Sequence, residues 1–281
     1  MGTTTHDQPF GHSALPPTRE RIRLRAGACA DTRLGRWLIS ARRKRAIRGL
    51  SEPFDVVVAP NVKARLYPSG NRCEKRALAG VQIWDAAERG ALREAIGTGA
   101  DPFVFLDIGA NAGLYSLFVN AYARAASRAV RLIAVEPSAT MAGRLAFNAK
   151  ASRAEIELVR SAVSDAPGQA HLSDGGGNRG EAQLGGTGEI VLVETLYGLC
   201  DRLGVTRIDA MKVDIEGHDK RALRAFFRDA PETLHPRLLI LELSAESRSP
   251  LVELACAQNY LLSDDTAMNA VFKKKIDHVQ T

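Results

Sequence analysis

The sequence has few cysteines and no long apolar segment. Its four cysteines are far apart and form no Cys-x-x-Cys motif: they are Cys29, Cys73, Cys200 and Cys256. This spacing argues against a disulfide framework or a zinc cluster and favours a reducing compartment. No stretch is long and apolar enough to cross a bilayer, and the N-terminus has no apolar signal core. We therefore expect a soluble, cytoplasmic protein.

Two phosphate-binding signatures are also missing. The dinucleotide fingerprint requires Gly-x-Gly-x-x-Gly, and the mononucleotide loop requires Gly-Lys-Ser/Thr after a longer run. The glycine turn that follows the most apolar strand contains Gly109 and Gly113, with neither a middle glycine nor a following lysine. The turn therefore contains no pyrophosphate-binding motif. This argues against an NAD-dependent oxidoreductase, which we keep as an alternative.

The sequence does contain a predicted strand, a tight turn and a helix in immediate succession. An apolar run from Phe103 ends in Asp107, and small residues follow as far as Gly113. Apolar residues then recur at helical spacing from Leu114 onwards. Glycines let the backbone approach a ligand closely, and a helix N-terminus presents unpaired N–H groups. We interpret residues 103–113 as a cofactor loop at a strand end, where open α/β sheets bind ligands.

A second apolar run, from Leu132 to Val135, ends in Glu136, which lies 29 residues after Asp107. A carboxylate at this place is suited to accept both hydroxyls of a ribose. The acid two residues before Gly109 suits a ligand with an ammonium group better than one with phosphates. A ribose, an amino-acid head group and no phosphate together describe S-adenosylmethionine, which we therefore predict as the cofactor.

Predicted strands alternate with helices after residue 100, and four of the strands end in an acidic residue. These residues are Asp107, Glu136, Asp214 and Glu242. The alternation predicts a mostly parallel sheet that is covered by helices on both faces. Since the carboxyl ends of such strands lie along one edge, we expect the four acids to belong to a single site.

The positive charge of the chain is concentrated near its N-terminus. The formal net charge is +6, but residues 19–48 contain 11 Lys/Arg and two acids, a local balance of +9. The rest of the chain is then mildly acidic (6 − 9 = −3), which argues against nucleic-acid binding by the core. The basic segment is interpreted as an amphipathic helix in weak contact with anionic lipid, or with RNA. The interpretation that we favour is a helix that packs Leu34, Trp37 and Leu38 on the core.

Five motifs, taken together and in this order, resemble the FkbM-type S-adenosylmethionine-dependent methyltransferases. They are Phe105-Leu-Asp-Ile-Gly-Ala-Asn-Ala-Gly113, Val135-Glu-Pro137, Ala162-Val-Ser-Asp165, Thr195-Leu196 and Met211-Lys-Val-Asp-Ile-Glu-Gly217. The resemblance runs from about Phe103 to Phe272. It implies a Rossmann-like class I α/β sheet of seven strands with the last one antiparallel and helices on both faces. The resemblance covers nothing before about residue 55, and we predict that this part is an N-terminal extension. The resemblance also implies O-methylation of a hydroxyl, often on a sugar or polyketide.

The patterns divide the chain into three parts. Residues 1–50 are predicted to form a basic, partly disordered arm. Residues 51–100 are predicted to form a cap section, whose pattern is helical from Cys73 to about Ile96. Residues 101–281 are predicted to form the S-adenosylmethionine-dependent methyltransferase domain.

The predicted cofactor-binding residues are Asp107, Gly109, Ala110, Asn111, Gly113, Tyr115, Glu136, Pro137, Ser164 and Asp214. The glycine turn is assigned to the methionine portion of the cofactor, and Asp107 to its amino group, directly or through water. Glu136 is assigned to the ribose hydroxyls and Ser164 to the adenine. The alternative for the glycine turn is a strained connection that only folding requires, and for Ser164 it is a simple turn.

The predicted catalytic residues are Asp214, Glu216 and His218. Methyl transfer from a sulfonium to an alcohol depends mostly on positioning, and a base near the hydroxyl adds ~10²–10⁴-fold. Asp214 is assigned to the cofactor or the acceptor hydroxyl, and Glu216 to orienting the acceptor. His218 is assigned to the base, because imidazole titrates near neutral pH; the alternative is an exposed residue at a helix start. We predict no metal, although Asp214 and Glu216 are the type of residue that holds a divalent cation.

One departure from the family pattern concerns the acceptor side. His218-Asp219 follows Gly217, where many members have a small residue and then Glu. We predict an O-methyltransferase that acts on a hydroxyl of a small molecule or glycan, without a nucleic-acid partner; no oligomeric state is predicted. The alternatives are a nucleic-acid or protein methyltransferase that uses the basic arm, or a non-catalytic binding module. The Asn/Asp-Pro-Pro-Tyr/Phe and Pro-Cys motifs of nucleic-acid methyltransferases do not occur.

Overall fold

The computed structural model describes residues 8–173, 183–184, 188–215, 217–266 and 268–275. Its centre is a seven-stranded sheet. Numbered along the chain and given in spatial order, the strands are β12 (Tyr260–Asp265), β13 (Asn269–Lys274), β11 (Leu238–Glu242), β10 (Ala210–Val213), β3 (Phe103–Ile108), β4 (Val130–Val135) and β5 (Glu157–Val159). The strands from β11 to β5 pair in parallel, whereas β13, the last in the chain, is antiparallel to both of its neighbours. The predicted fold class is confirmed.

Helices cover both faces of this sheet. They are α4 (Ala86–Thr98), α5 (Leu114–Ala125) and α6 (Ala139–Ser152) on one face, and α7 (Leu196–Arg202), α8 (Asp219–Asp229) and α9 (Arg248–Ala257) on the other. Side chains alternate along a strand, so Phe103 and Phe105 of β3 enter the first core while Val104 and Leu106 enter the second. All four are buried, as expected for a strand with helices on both sides.

Residues of the predicted cap section pack on the first of these faces, which we call the cap face. They form an antiparallel hairpin of β1 (Phe54–Ala59) and β2 (Val62–Leu66), followed by α3 (Arg72–Ala79). The helical pattern from Cys73 to about Ile96 corresponds to two α-helices with an interruption, because α3 ends before Gly80 and α4 begins after Asp85. Gly80 has φ of +124°, and a Cβ there would lie 2.8 Å from Cα of Gly27. The positive φ and this close approach both require glycine at the position where α3 ends.

The N-terminal arm contains two helices, α1 (Pro17–Gly27) and α2 (Arg33–Ile47), which pack against each other and against α3. Ile39 enters a small apolar cluster with Ala26 and Ala79. Leu34 and Trp37 are exposed, so the prediction that they pack on the core is wrong. The helical phase that buries Ile39 turns these two side chains to the opposite side. None of the helices in the described part of the chain is long and apolar enough to span a bilayer.

A smaller four-stranded sheet lies beside the central one. Its strands, in spatial order, are β6 (Ala162–Val163), β9 (Glu189–Glu194), β7 (Gly168–Ser173) and β8 (Gln183–Leu184). The sheet therefore places the residues that follow β6, including Ser164, next to the start of α8. The division of the chain at residues 50 and 100 stays a prediction.

Candidate active site

A cavity opens at the carboxyl ends of β3, β10 and β11, beneath the cap. Lys212 and Asp214 line it from the sheet, and Asp85 lines it from the cap. Of the predicted site residues, it brings together Gly109, Ala110, Asn111, Tyr115 and Asp214. The predicted residues that do not line this cavity are Asp107, Gly113, Glu136, Pro137, Ser164 and His218. Glu216 lies outside the described residues.

The turn after β3 has the conformation that its glycines allow. Gly109, Asn111 and Gly113 have φ of +76°, +53° and +82°, in the left-handed region that favours glycine. A Cβ on Gly109 would lie 1.8 Å from the carbonyl oxygen of Asp214, so a side chain there is excluded. The backbone N–H groups of Gly109 and Ala110 both donate to the carbonyl oxygen of Val135, at 2.9 and 3.0 Å. The turn is therefore held against both neighbouring strand ends.

Asp107 lies directly below this turn and is fully buried. Its Oδ2 accepts hydrogen bonds from the backbone N–H and the hydroxyl of Ser116, at 3.1 and 2.7 Å, in the first turn of α5. Its Oδ1 is buried and has no hydrogen-bond partner among the described residues. Burial raises the pKa of Asp107, and the nearby Lys212 ammonium offsets only part of that rise. Asp107 therefore stabilises the helix start and keeps one oxygen without a partner within the described part.

Lys212 is the residue that the sequence analysis missed on the sheet side. Its Nζ donates to Asp214 Oδ2 at 2.8 Å and lies 5.1 Å from the centre of the Tyr115 ring. On the neighbouring strand its register partner is Asp107. Burial raises the pKa of Asp214, but the charge of Lys212 and the hydrogen bonds with Glu242 and Lys212 together outweigh this, and the pKa is lowered. Lys212 therefore holds Asp214 ionised within the cavity.

Glu136 lies at the end of β4, where the sequence predicts it. Its two carboxylate oxygens accept backbone N–H groups, Oε2 from Asn111 at 2.8 Å and Oε1 from Ser138 at 2.9 Å. Burial raises the pKa of Glu136 to about 7, although the two amides lower it. The Ser138 hydroxyl in turn caps α6 by accepting the backbone N–H of Met141, the usual role of a serine at a helix N-cap. Glu136 therefore joins the glycine turn to the start of α6.

Asp85 is a second residue that the sequence analysis missed. Its Oδ2 accepts the phenolic hydrogen of Tyr115 at 2.9 Å, and its Oδ1 lies 3.2 Å from Nη1 of Arg76. Asp85 precedes α4 in a left-handed conformation, with φ of +43°, and makes no side-chain capping bond there. An aspartate at this position normally accepts a helix N–H. Here the carboxylate contacts cavity residues instead, which the sequence pattern does not reveal.

His218 and Ser164 come together away from the cavity lining. His218 Nδ1 and the Ser164 hydroxyl are 3.2 Å apart. Asp219, the residue that departs from the family pattern, accepts the backbone N–H groups of Ile215 and Gly217, at 3.1 and 3.2 Å. Asp219 therefore fixes the loop before α8, and the catalytic role assigned to His218 stays a prediction.

A comparison with known protein families shows to which family the chain belongs. A family model described as a methyltransferase FkbM domain matches residues 107–258. The match covers more than half of the chain, and the protein belongs to the FkbM methyltransferase family. This confirms the resemblance drawn from the five motifs. A search among curated proteins found no match.

Several solved methyltransferase structures are similar to this chain at low identity. A precorrin-6y C5,15-methyltransferase from Geobacter metallireducens GS-15 has 14% identity and a TM-score of 0.42, over 69% of this chain and 90% of that one. An S-adenosylmethionine-dependent methyltransferase from Agrobacterium tumefaciens has 14% identity and a TM-score of 0.47, over 81% and 72%. A methyltransferase from Pyrococcus furiosus has 14% identity and a TM-score of 0.42, over 86% and 98%. The substrates of those proteins are not carried over to this chain.

Proposed function

We propose that the protein is an S-adenosylmethionine-dependent O-methyltransferase that acts on a hydroxyl of a small molecule or glycan. The observation that supports this proposal is the cavity in which the glycine turn, Asp214 of the sheet and Asp85 of the cap meet. A methyl donor and a hydroxyl acceptor require such a place, where one wall holds the cofactor and the other the acceptor. The cap supplies the second wall.

The charges near the turn suit a cationic cofactor. Asp107, Asp214 and Glu242 lie around one ammonium, that of Lys212, and each of the three influences the pKa of that lysine. Carboxyl groups so close to the glycine turn favour a ligand with a sulfonium and an ammonium group. The Asp107 oxygen without a partner among the described residues supports the same conclusion. When bound, S-adenosylmethionine would supply an activated methyl group on its sulfonium.

The protein's own residues then have separate tasks. The glycine turn and Asp107 would hold the amino-acid portion, and Glu136 the ribose. Asp214, kept ionised by Lys212, orients polar groups in the cavity but is a weak base because its pKa is lowered. We assign the acceptance of the acceptor's hydroxyl proton to the Asp85 carboxylate. Tyr115 is the positioning residue for Asp85, since burial raises the pKa of Tyr115 and keeps its hydroxyl a donor.

The test is calorimetric titration of S-adenosylmethionine into the wild type and Glu136→Gln, between pH 6 and pH 8. Because the pKa of Glu136 is about 7, its carboxylate gains charge over this interval and becomes a better acceptor for ribose hydroxyls. We expect the wild-type affinity to increase with pH relative to that of the variant. At pH 8 the variant should bind roughly ten- to a hundredfold more weakly.

The exposed Glu155→Gln variant is the matched control and should follow the wild type. The amino group of the cofactor also titrates, but it affects the affinity of all three proteins equally. The difference in pH dependence between wild type and Glu136→Gln therefore reports the charge of Glu136. Equal affinity and equal pH dependence of wild type and Glu136→Gln would refute the ribose role. Absence of binding to the wild type would refute the proposed cofactor.

A further inference from the structure

Three large apolar side chains of the α1–α2 hairpin are exposed. Leu24 of α1 is 55% exposed, and Leu34 and Trp37 of α2 are 67% and 65% exposed. A single exposed leucine is ordinary, but three such residues on two adjoining helices are not explained by packing. Leu34 and Trp37 are three residues apart, which places them side by side on one surface of α2.

The same face is strongly basic. Lys44 and Arg48 lie seven and eleven residues after Trp37, so they are on the same side of the helix as Trp37, and both are exposed. Arg33 and Arg45 are also exposed and lie beside them. Residues 33–48 contain no aspartate or glutamate. The two acids of the preceding residues, Glu20 and Asp31, are each paired with an arginine, Arg23 and Arg36. The face therefore carries an uncompensated positive charge around an apolar centre.

The inner face of the hairpin is already occupied. Ile39 and Ala26 pack with Ala79 of α3, and Nε2 of Gln82 donates to the carbonyl oxygen of Ala26 at 2.8 Å. These contacts hold the hairpin on the cap without any contribution from Leu34 or Trp37. The exposed residues are therefore available to a partner while the hairpin keeps its fold.

We propose that this exposed face of α2, formed by Leu34, Trp37 and the cations around them, docks together with Leu24 of α1 on the surface of an anionic lipid membrane. Interfacial helices bind by burying apolar side chains at the headgroup boundary while their cations meet anionic headgroups. Tryptophan favours this boundary because its ring is apolar and its N–H is polar. The proposal is independent of the reaction that the cavity supports.

A nucleic acid is the less favoured partner. Phosphates would attract the cations, and a base would stack on Trp37, but two exposed leucines add little to either contact. A lipid surface uses the leucines, the tryptophan and the cations together. The hairpin packs on α3, which lines the cavity through Cys73 and Arg76, so docking would bring the cap side of the cavity close to the membrane.

The test is flotation of the full chain with vesicles of phosphatidylcholine alone and of phosphatidylcholine with an equal part of phosphatidylglycerol. We expect binding to the second kind only, weakening as salt is raised. The chain has two tryptophans, and Trp84 is buried, so a blue shift of the fluorescence on binding would report Trp37. Binding of equal strength to both vesicles, or none to either, would overturn the proposal.

Two double variants separate the apolar and the electrostatic contributions. Leu34→Ala with Trp37→Ala should lower vesicle binding about tenfold or more. Lys44→Gln with Arg48→Gln should lower it by about fivefold for each cation removed. Ile190→Ala with Leu192→Ala, at 62% and 52% exposure on β9, is the matched apolar control and should bind like the wild type.

Arg124→Gln with Arg224→Gln, both exposed on other helices, is the matched charge control. If this variant loses as much binding as Lys44→Gln with Arg48→Gln, the attraction is general and the proposal fails. Circular dichroism verifies that each variant is folded. Binding to a fluorescent single-stranded oligonucleotide that exceeds vesicle binding, or a self-association lost with Trp37, would assign the face to nucleic acid or to a second copy instead.

Discussion

Removal of the Lys212 charge is the sharpest test of the electrostatic arrangement at the sheet end. Lys212 is buried, donates to Asp214 at 2.8 Å and is the register partner of Asp107. Burial alone lowers the pKa of a lysine, but these two carboxylates outweigh it and raise the pKa of Lys212. Lys212→Met keeps most of the stem and removes the ammonium. The substitution leaves the fully buried Asp107 carboxylate and the partly buried Asp214 carboxylate without the Lys212 ammonium.

Breaking a buried ion pair by removing one partner costs about 3–5 kcal/mol. The side chain of Asp214 is 26% exposed, so water compensates part of this loss, and we expect the lower end, about 3 kcal/mol. This corresponds to a decrease in Tm of roughly 6–12 °C. Urea unfolding followed by circular dichroism at pH 7 measures the free energy.

The loss should depend on pH with a definite sign. The lowered pKa of Asp214 contributes stability that is present above the unfolded value near 3.8 and is lost as the pH falls through the folded value. Lys212→Met removes this contribution, so wild type and variant should differ most near neutral pH and approach each other only as the pH falls below the unfolded value of 3.8. The exposed pair of Lys273 and Glu94 is the control, because Lys273→Met should cost about 1 kcal/mol or less.

A double-mutant cycle with Asp214→Asn completes the test. We expect Lys212→Met with Asp214→Asn to be more stable than the sum of the single losses implies, with a coupling of about 1–3 kcal/mol. A cost for Lys212→Met no greater than that of Lys273→Met would refute the reasoning. If the losses of unfolding free energy in the two single variants simply add in the double variant, Lys212 and Asp214 do not interact.

Two further predictions concern the turn and the cap. Gly109→Ala should destabilise the protein by about 2–5 kcal/mol in urea unfolding, because φ is +76° and the new Cβ would lie 1.8 Å from the Asp214 carbonyl oxygen. The control is Gly143→Ala in α6, where no atom lies within 4 Å of the new Cβ and the substitution should stabilise the protein by about 0.5–1 kcal/mol. Equal effects of the two substitutions would contradict the strain assigned to Gly109. Asp85→Asn should lower the rate of methyl transfer to a hydroxyl acceptor by about 10²–10⁴-fold and leave the affinity for S-adenosylmethionine unchanged. The rate is measured as the formation of S-adenosylhomocysteine. An unaltered rate would show that Asp85 has no part in the mechanism.

The turn at Gly109 and Gly113 shows what local pattern predicts well. A continuous apolar strand, an acid, two glycines and helical spacing act within about twenty residues, so the local backbone preferences and the burial requirements agree. The structure has β3, the glycine turn and α5 where the sequence analysis expects them. The same holds for Asp214 and Glu242, because acids at the ends of parallel strands share one edge.

Prediction failed where the outcome depended on contacts between distant segments. The break between α3 and α4 falls at Gly80, which lies against Gly27, more than fifty positions earlier in the chain. The outward orientation of Trp37 depends on which side of α2 meets α3. The sequence of α2 alone is compatible with Trp37 facing the protein or the solvent, since apolar residues at helical spacing do not show which side of the helix is packed.

By itself, the sequence determined the family, the alternation of strands and helices after residue 100, and the edge of the sheet at which acids gather, because these follow from short-range spacing and strand polarity. Only the tertiary structure decided that Lys212 lies between Asp107 and Asp214, that Asp85 reaches Tyr115, and that His218 meets Ser164 away from the cavity. Each of these outcomes depends on register and packing between elements far apart in the chain, and such contacts leave no periodic signal in a single sequence.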